Sequence, residues 1–274
     1  MNPSTQKMHT MKSIRNVFLN SVLILGAGLS AVSAASAAAG STVVDAQSSR
    51  TVVLVHGAFA DGSSWNAIVP LLQARGLKVI AVQNPLTSLA DDVAFTQRAI
   101  DEANGPVVLV GHSWGGAVIT EAGANDKVKA LVYVAAFAPS AGQSAIETVK
   151  GYPTPPGLTN PIADAAGFLK LSPETVAKHF AQDLPAEQTK LIAVSQGAVR
   201  GKNFEEKLTK TAWQSKESWY IVAEKDFMID PAAQREAAKK IKAHVTSLPT
   251  SHVPMLSKPK EVADVIIAAA NSIK

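Results

Sequence analysis

Pro106-Val-Val-Leu-Val-Gly-His-Ser-Trp-Gly-Gly-Ala-Val-Ile-Thr-Glu-Ala-Gly-Ala124 changes its hydrophobic period at Ser113. Val107 to Val110 is a continuous apolar run, the pattern of a parallel strand buried on both faces. From Trp114 onward, small and apolar residues fit a helix packed against a sheet. Between the two lies Gly111-His112-Ser113-Trp114-Gly115, a G-x-S-x-G sequence in the strand–turn–helix setting of a nucleophile elbow. A serine on so sharp a turn takes a strained backbone conformation, and side chains at the glycine positions would collide with neighbouring backbone. The turn lifts the Ser113 hydroxyl clear of the sheet and aims N–H groups of the helix start at developing negative charge. The three fixed letters alone recur by chance in about one chain in ten of this length, so the flanking strand and helix carry the argument.

A second segment has the same build. Thr51 to Val55 reads as a short β-branched strand, followed by His56-Gly57-Ala58-Phe59-Ala60-Asp61-Gly62 and a helix beginning near Trp65. Acyl transfer needs two N–H donors on the oxyanion, one from the residue after the nucleophile and one from another loop. Trp114 and Ala58 are assigned to these places. His56-Gly57 after a hydrophobic strand, together with Gly-His-Ser-Trp-Gly-Gly, resembles the α/β-hydrolase superfamily over residues 50 to 274. Within it, the chain is most similar to the small serine esterase and hydroxynitrile-lyase group.

Serine is a poor nucleophile at neutral pH and needs a base oriented by a carboxylate. In this fold the chain order is Ser, then Asp or Glu, then His. Ser218 to Ala223 reads as a strand that runs into Glu224-Lys-Asp226-Phe-Met-Ile-Asp230-Pro231. His244 to Leu248 reads as a last strand, followed by Pro249-Thr-Ser-His252-Val-Pro. Both loops follow strand C-termini, the edge where open α/β sheets place their sites. Asp226 is assigned as the acid and His252 as the base, with Glu224 as the alternative acid; the family pattern favours Asp226. Asp230 precedes Pro231 and is better explained as a helix N-cap. His9 lies in the leader, His179 in a solvated helical segment and His244 at a strand start. His56 and His112 flank the site as loop-bracing residues. The substrate pocket is expected at Gly57, Phe59, His112, Phe137, Phe227 and Val253.

Composition limits the remaining possibilities. The 274 residues are 47% apolar, enough for one α/β domain with a sizeable core. Residues 1 to 39 read as a signal peptide: Lys7, Lys12 and Arg15 form a basic start, Val17 to Leu29 is apolar, and Ala34 or Ala37 ends a small-residue cleavage site. An uncleaved membrane anchor is the competing reading. Three of the 26 basic residues and none of the 22 acidic ones lie in that leader, so the remainder carries only +1. No basic patch points to nucleic acid. The absence of cysteine excludes disulfides, thiol catalysis, cysteine metal sites and a lipoprotein anchor. No metal or cofactor is expected, nor any stable membrane association after leader cleavage. A periplasmic or secreted location follows, and the oligomeric state is left open.

Six parallel strands are predicted near 51–55, 78–82, 106–110, 129–134, 218–223 and 244–248, with helices near 65–75, 91–104, 114–124, 231–242 and 259–272. This alternation specifies a doubly wound, mostly parallel six-stranded sheet. After the leader, residues 40–138 and 217–274 form the two parts of the core, and 139–216 a helical cap inserted after the fourth strand. Ser172-Pro and Leu184-Pro are read as cap helix starts, and Phe168, Leu169, Phe180 and Leu184 as cap core. The resemblance implies a serine carboxylesterase, and the near-neutral charge after the leader, with no arginine clamp at the strand ends, points to uncharged small-molecule esters of small to medium size. Plant hydroxynitrile lyases of the group carry threonine after the first-loop histidine and lysine after the catalytic histidine; this chain has Gly57 and Val253 there. A non-catalytic ligand-binding protein on the same scaffold and a lipase are the alternative readings.

Overall fold

A computed structural model of the chain describes residues 50–273. The predicted signal peptide lies outside them. The core is built on a six-stranded sheet, β1 (Thr51–Val55), β2 (Lys78–Val82), β3 (Val107–His112), β4 (Val128–Val134), β8 (Glu217–Ala223) and β9 (His244–Leu248), in the order β2-β1-β3-β4-β8-β9 with every pair parallel. β1 and β3 are buried along their whole length, which is why both read as unbroken apolar runs. The edge strands β2 and β9 are partly exposed and mix in polar residues.

Helices cover the two faces: α1 (Val69–Gln73), α2 (Leu89–Glu102), α3 (Gly115–Ala122), α6 (Pro231–Lys240), α7 (Pro254–Ser257) and α8 (Pro259–Ser272). The helix expected over 65–75 is a 3-10 turn at Gly62–Trp65 followed by the five-residue α1. Pro70 explains the break. It has no N–H to donate to Asn66, so a helix cannot run through from Trp65 and starts only at Val69. α2 begins at Leu89 because the Ser88 hydroxyl accepts the Asp91 N–H at 3.0 Å.

Between β4 and β8 the chain forms the cap. It holds 3-10 turns at Ile146–Val149, Pro156–Leu158, Gly201–Glu205 and Ala212–Gln214, and α4 (Pro173–Thr175), which continues as a wider π turn over Val176–Phe180. α5 (Ala186–Ser195) completes its helices. The Ser172 cap and the Leu184-Pro185 start fall where the sequence places them. The cap also contains an antiparallel sheet absent from the sequence reading: β5 (Ile162–Ala163), β6 (Phe168–Lys170) and β7 (Val199–Arg200), in the order β5-β6-β7. Strands of two or three residues show no alternation, and β7 pairs with β6 across 28 residues that include α4 and α5, so no local signal marks it.

Candidate active site

Ser113 stands at the C-terminal end of β3 with φ of 51°. A left-handed conformation is costly for a residue with a Cβ, and the surrounding backbone holds it. The Ser113 N–H donates to the Val134 carbonyl at 3.1 Å, and the Ser113 carbonyl accepts from Phe137 at 3.1 Å and Gly116 at 3.0 Å. The glycines of the motif are needed for space. A Cβ at Gly111 would lie 2.5 Å from the Gly115 carbonyl oxygen, one at Gly115 2.6 Å from that of Val55, and one at Gly116 2.2 Å from that of Phe137. The elbow is therefore wedged between β1, its own helix and the turn after β4.

Two further anchors set the direction of the expected oxyanion donors. His56 is buried, and its Nδ1–H donates to the Gly57 carbonyl at 2.8 Å while its Nε2 accepts the Asn84 N–H at 2.9 Å. Burial lowers its pKa, which favours this neutral tautomer. In a trans peptide the C=O and the following N–H point opposite ways. Holding the Gly57 carbonyl thus fixes the Ala58 N–H, and holding the Ser113 carbonyl fixes the Trp114 N–H in the same manner. Neither N–H has an acceptor among the described residues.

His252 and Asp226 meet from the loops after β9 and β8. The His252 Nδ1–H donates to Asp226 Oδ2 at 2.6 Å, with both side chains almost wholly buried. The carboxylate also accepts from the Met228 N–H at 2.6 Å, the Ile229 N–H at 3.0 Å and Gln234 Nε2 at 2.7 Å. His252 Nε2 has no partner among the described residues, and His252 lines one cavity with Ser113 and Ala58, without a direct hydrogen bond to the serine. The alternative acid, Glu224, lies at the surface in an ion pair with Arg235. Asp230 caps α6 by accepting the Ala232 N–H at 2.7 Å. His244 pairs with Glu217, and the His179 ring packs on Phe227.

The cavity measures about 230 Å³ and runs from Ser113 to the cap. Phe59 and Phe137 line it, as expected. Four expected pocket residues do not. Phe227 turns outward, 41% exposed, because the bend that lets Asp226 accept the Met228 and Ile229 N–H groups brings Met228 and Ile229 inward instead. His112 is fully buried behind the site, donating from Nε2 to the His252 carbonyl at 2.8 Å; burial, with His252 beside it, pushes its pKa well below the usual histidine range. Val253 is buried beneath the histidine loop, and Gly57 packs on Ser113 from below. In the cap, Leu169 reaches the cavity, whereas Phe180 sits edge-on to the His252 ring at 5.3 Å.

The sequence reading missed three supports. Gln234 ties Asp226 to the Ile229 carbonyl and to the Ala223 N–H. From the cap, Gln182 donates to the Lys225 carbonyl and Asp183 accepts the Ser251 N–H at 2.8 Å, so adjacent cap residues touch both the acid and the base loops. No local motif marks these residues: Gln182 and Asp183 act across 43 and 68 residues, and Gln234 lies on a helix whose pattern does not say which side chain turns to the loop before it.

The fold and this site define an α/β-hydrolase, and the family model for the alpha/beta hydrolase family matches residues 52–265. The chain belongs to that family and is an esterase-type member of it. It is 29% identical over 259 residues to a pyrethroid hydrolase of Sphingobium wenxiniae, covering 81% of this chain and 88% of that protein. It is 28% identical over 271 residues to the rice esterase PIR7B, covering 83% and 98%. The crystal structure of a pyrethroid hydrolase from Sphingobium faniae superposes with a TM-score of 0.70 at 26% identity, over 81% of this chain and 98% of the other.

Proposed function

We propose that this chain is an exported serine carboxylesterase that works through an acyl-enzyme. Ser113 attacks the ester carbonyl while His252 Nε2 takes its proton, and Asp226 holds the imidazolium that forms. The N–H groups of Ala58 and Trp114 receive the oxyanion. The tetrahedral intermediate collapses as His252 protonates the departing alcohol. Water then adds to the acyl-enzyme, giving its proton to His252, and the acid leaves as Ser113 is reprotonated. The observation that carries this reading is the buried His252–Asp226 pair opening, through His252, onto the cavity that also holds Ser113.

Two features support an uncharged substrate of small to medium size. Apart from Glu205 and His252 the cavity wall has no acidic or basic side chain among the described residues. A second hollow of about 410 Å³ adjoins it, sharing Phe137, Ile146, Val149, Leu158 and Met228, which adds room for a substrate of medium size beyond the cavity at the serine. Similarity to proteins named as esterases supports the reaction class. Lyase chemistry is disfavoured by Gly57, where any Cβ would press on Ser113 at 2.7 Å, and by the buried, uncharged Val253. Export rests on the basic-then-apolar leader of residues 1 to 39, with the periplasm or the medium as destination. Hydrolysis of p-nitrophenyl esters from acetyl to palmitoyl tests the reading: activity should depend on Ser113 and peak at short to medium chains. A peak at palmitoyl would favour a lipase, and ligand retention without turnover a binding protein.

A further inference from the structure

Asp92 is an acid buried in the core that the reaction does not use. It lies in the first turn of α2, with no exposed surface. Its Oδ2 accepts the Trp114 indole N–H at 2.7 Å, and its Oδ1 accepts the Leu86 N–H at 2.8 Å. Trp114 is the residue after Ser113, and its backbone N–H is one of the two proposed oxyanion donors. Its indole edge packs on Phe204, which lines the cavity and also meets Phe137. Leu86 sits at φ of 59°, and its carbonyl accepts from the Arg200 N–H and Asn203 Nδ2, both at 3.0 Å, in the cap. One carboxylate therefore ties the elbow to the strand-end loop that seats the cap.

The arrangement is costly as a purely structural device. A buried carboxylate with two neutral donors and no cation is usually replaced by apolar packing or matched by a base. The titratable groups bearing on Asp92 are Asp91, its neighbour on α2, and Glu206, which reaches from the cap to accept the Leu89 N–H; both are acidic. We infer that Asp92 is a positioning residue for the Trp114 oxyanion donor, and that its ionised form alone holds the elbow and the cap loop together. Both oxygens are engaged as acceptors, so adding a proton turns one of them into a hydroxyl, a poorer acceptor than a carboxylate oxygen, and loosens its hold on either the indole or Leu86. Burial, with Asp91 and Glu206 adding to it, raises its pKa to about 6, so the loosening falls within the working range of an esterase.

The inference rests on the serine-esterase reading, so its test begins with a signal that needs no turnover. The indole N–H resonance of Trp114 in the 15N-labelled protein, assigned by its loss in Trp114→Phe, should titrate with a midpoint near pH 6. The titration should vanish in Asp92→Asn, whose amide places an N–H against one of the two donors at every pH. In steady-state hydrolysis, Asp92→Asn should lower kcat at pH 8 by roughly ten- to a hundredfold with little change in KM, the effect of a donor displaced by a fraction of an ångström. The acid limb of kcat/KM should be steeper in the wild type, where the protonation of Asp92 adds to it, than in Asp92→Asn. An indole signal that does not move between pH 5 and 8 overturns the proposal without Asp92→Asn having to fold. So does an Asp92→Asn protein, melting like the wild type, that keeps the wild-type kcat and limb. If instead Ser113→Ala keeps its turnover while the indole titrates, the serine reading fails and the Asp92–Trp114 coupling stands.

Discussion

Gly57→Ala is the smallest change that should disable the site. The added Cβ would lie 2.7 Å from Ser113 Cβ, 2.9 Å from the His112 carbonyl oxygen and 3.0 Å from His112 Nδ1. Ordinary contacts between such atoms begin near 3.4 Å, so the loop and the elbow must separate by about 0.7 Å. Neither side yields easily. His56 grips the Gly57 carbonyl on one side, and Val134, Gly116 and Phe137 hold Ser113 on the other. Whichever moves, the distance between Ser113 and the Ala58 N–H changes, and a misplacement approaching 1 Å costs on the order of a hundredfold in rate. Overpacking should also cost about 1–3 kcal/mol of stability, lowering Tm by several degrees in a domain of this size. Steady-state hydrolysis of p-nitrophenyl butyrate and a calorimetric melt measure the two effects. A variant within threefold of wild-type kcat/KM, with unchanged Tm, would refute the claim that the approach of these two loops sets the nucleophile.

Asp226→Asn should lower kcat by about ten-thousandfold, because an amide no longer holds His252 in the tautomer that leaves Nε2 free; a loss under tenfold would move the acid elsewhere, Glu224 being the first to check. Met228→Ala should join the cavity to its neighbouring hollow and shift the preferred acyl chain upward, read as a change in the ratio of kcat/KM for octanoate over acetate esters. Stability should follow Asp92 with a definite sign. Its folded pKa of about 6 stands above the unfolded value of 3.8, so the wild type loses stability as pH rises between the two. Asp92→Asn lacks this loss, and its urea-unfolding free energy relative to wild type should rise by up to about 3 kcal/mol from pH 4 to pH 7. A difference that stays constant with pH would show that Asp92 does not titrate as described.

The central core strands were legible because buried parallel strands are continuous apolar runs with glycine-bearing loops at their C-terminal ends, as in Val107–Gly111 and Thr51–Gly57. Ser113 stood out as a candidate for the same reason, whereas Asp226 and His252 were assigned from their places after β8 and β9, in the chain order that the family resemblance implies. Of the cap, the insertion and two helix starts were legible but its sheet was not, since β5, β6 and β7 are too short to show a period and β7 pairs with β6 across intervening helices. Phe227 was misplaced because adjacency to a strand end does not say which side of a tight bend a side chain takes. Asp92, Asp183 and Gln234 could not be read at all. Asp92 meets Trp114 across 22 residues and Asp183 meets Ser251 across 68, distances at which only the packed fold brings residues together.

The most direct test of the account is labelling with a fluorophosphonate alongside ester turnover, in the wild type and in Ser113→Ala. The account predicts that the wild type is labelled at Ser113 and hydrolyses a short-chain p-nitrophenyl ester. It predicts that Ser113→Ala, melting at the wild-type temperature, is unlabelled and about a millionfold slower. Turnover in Ser113→Ala within tenfold of the wild type would contradict it.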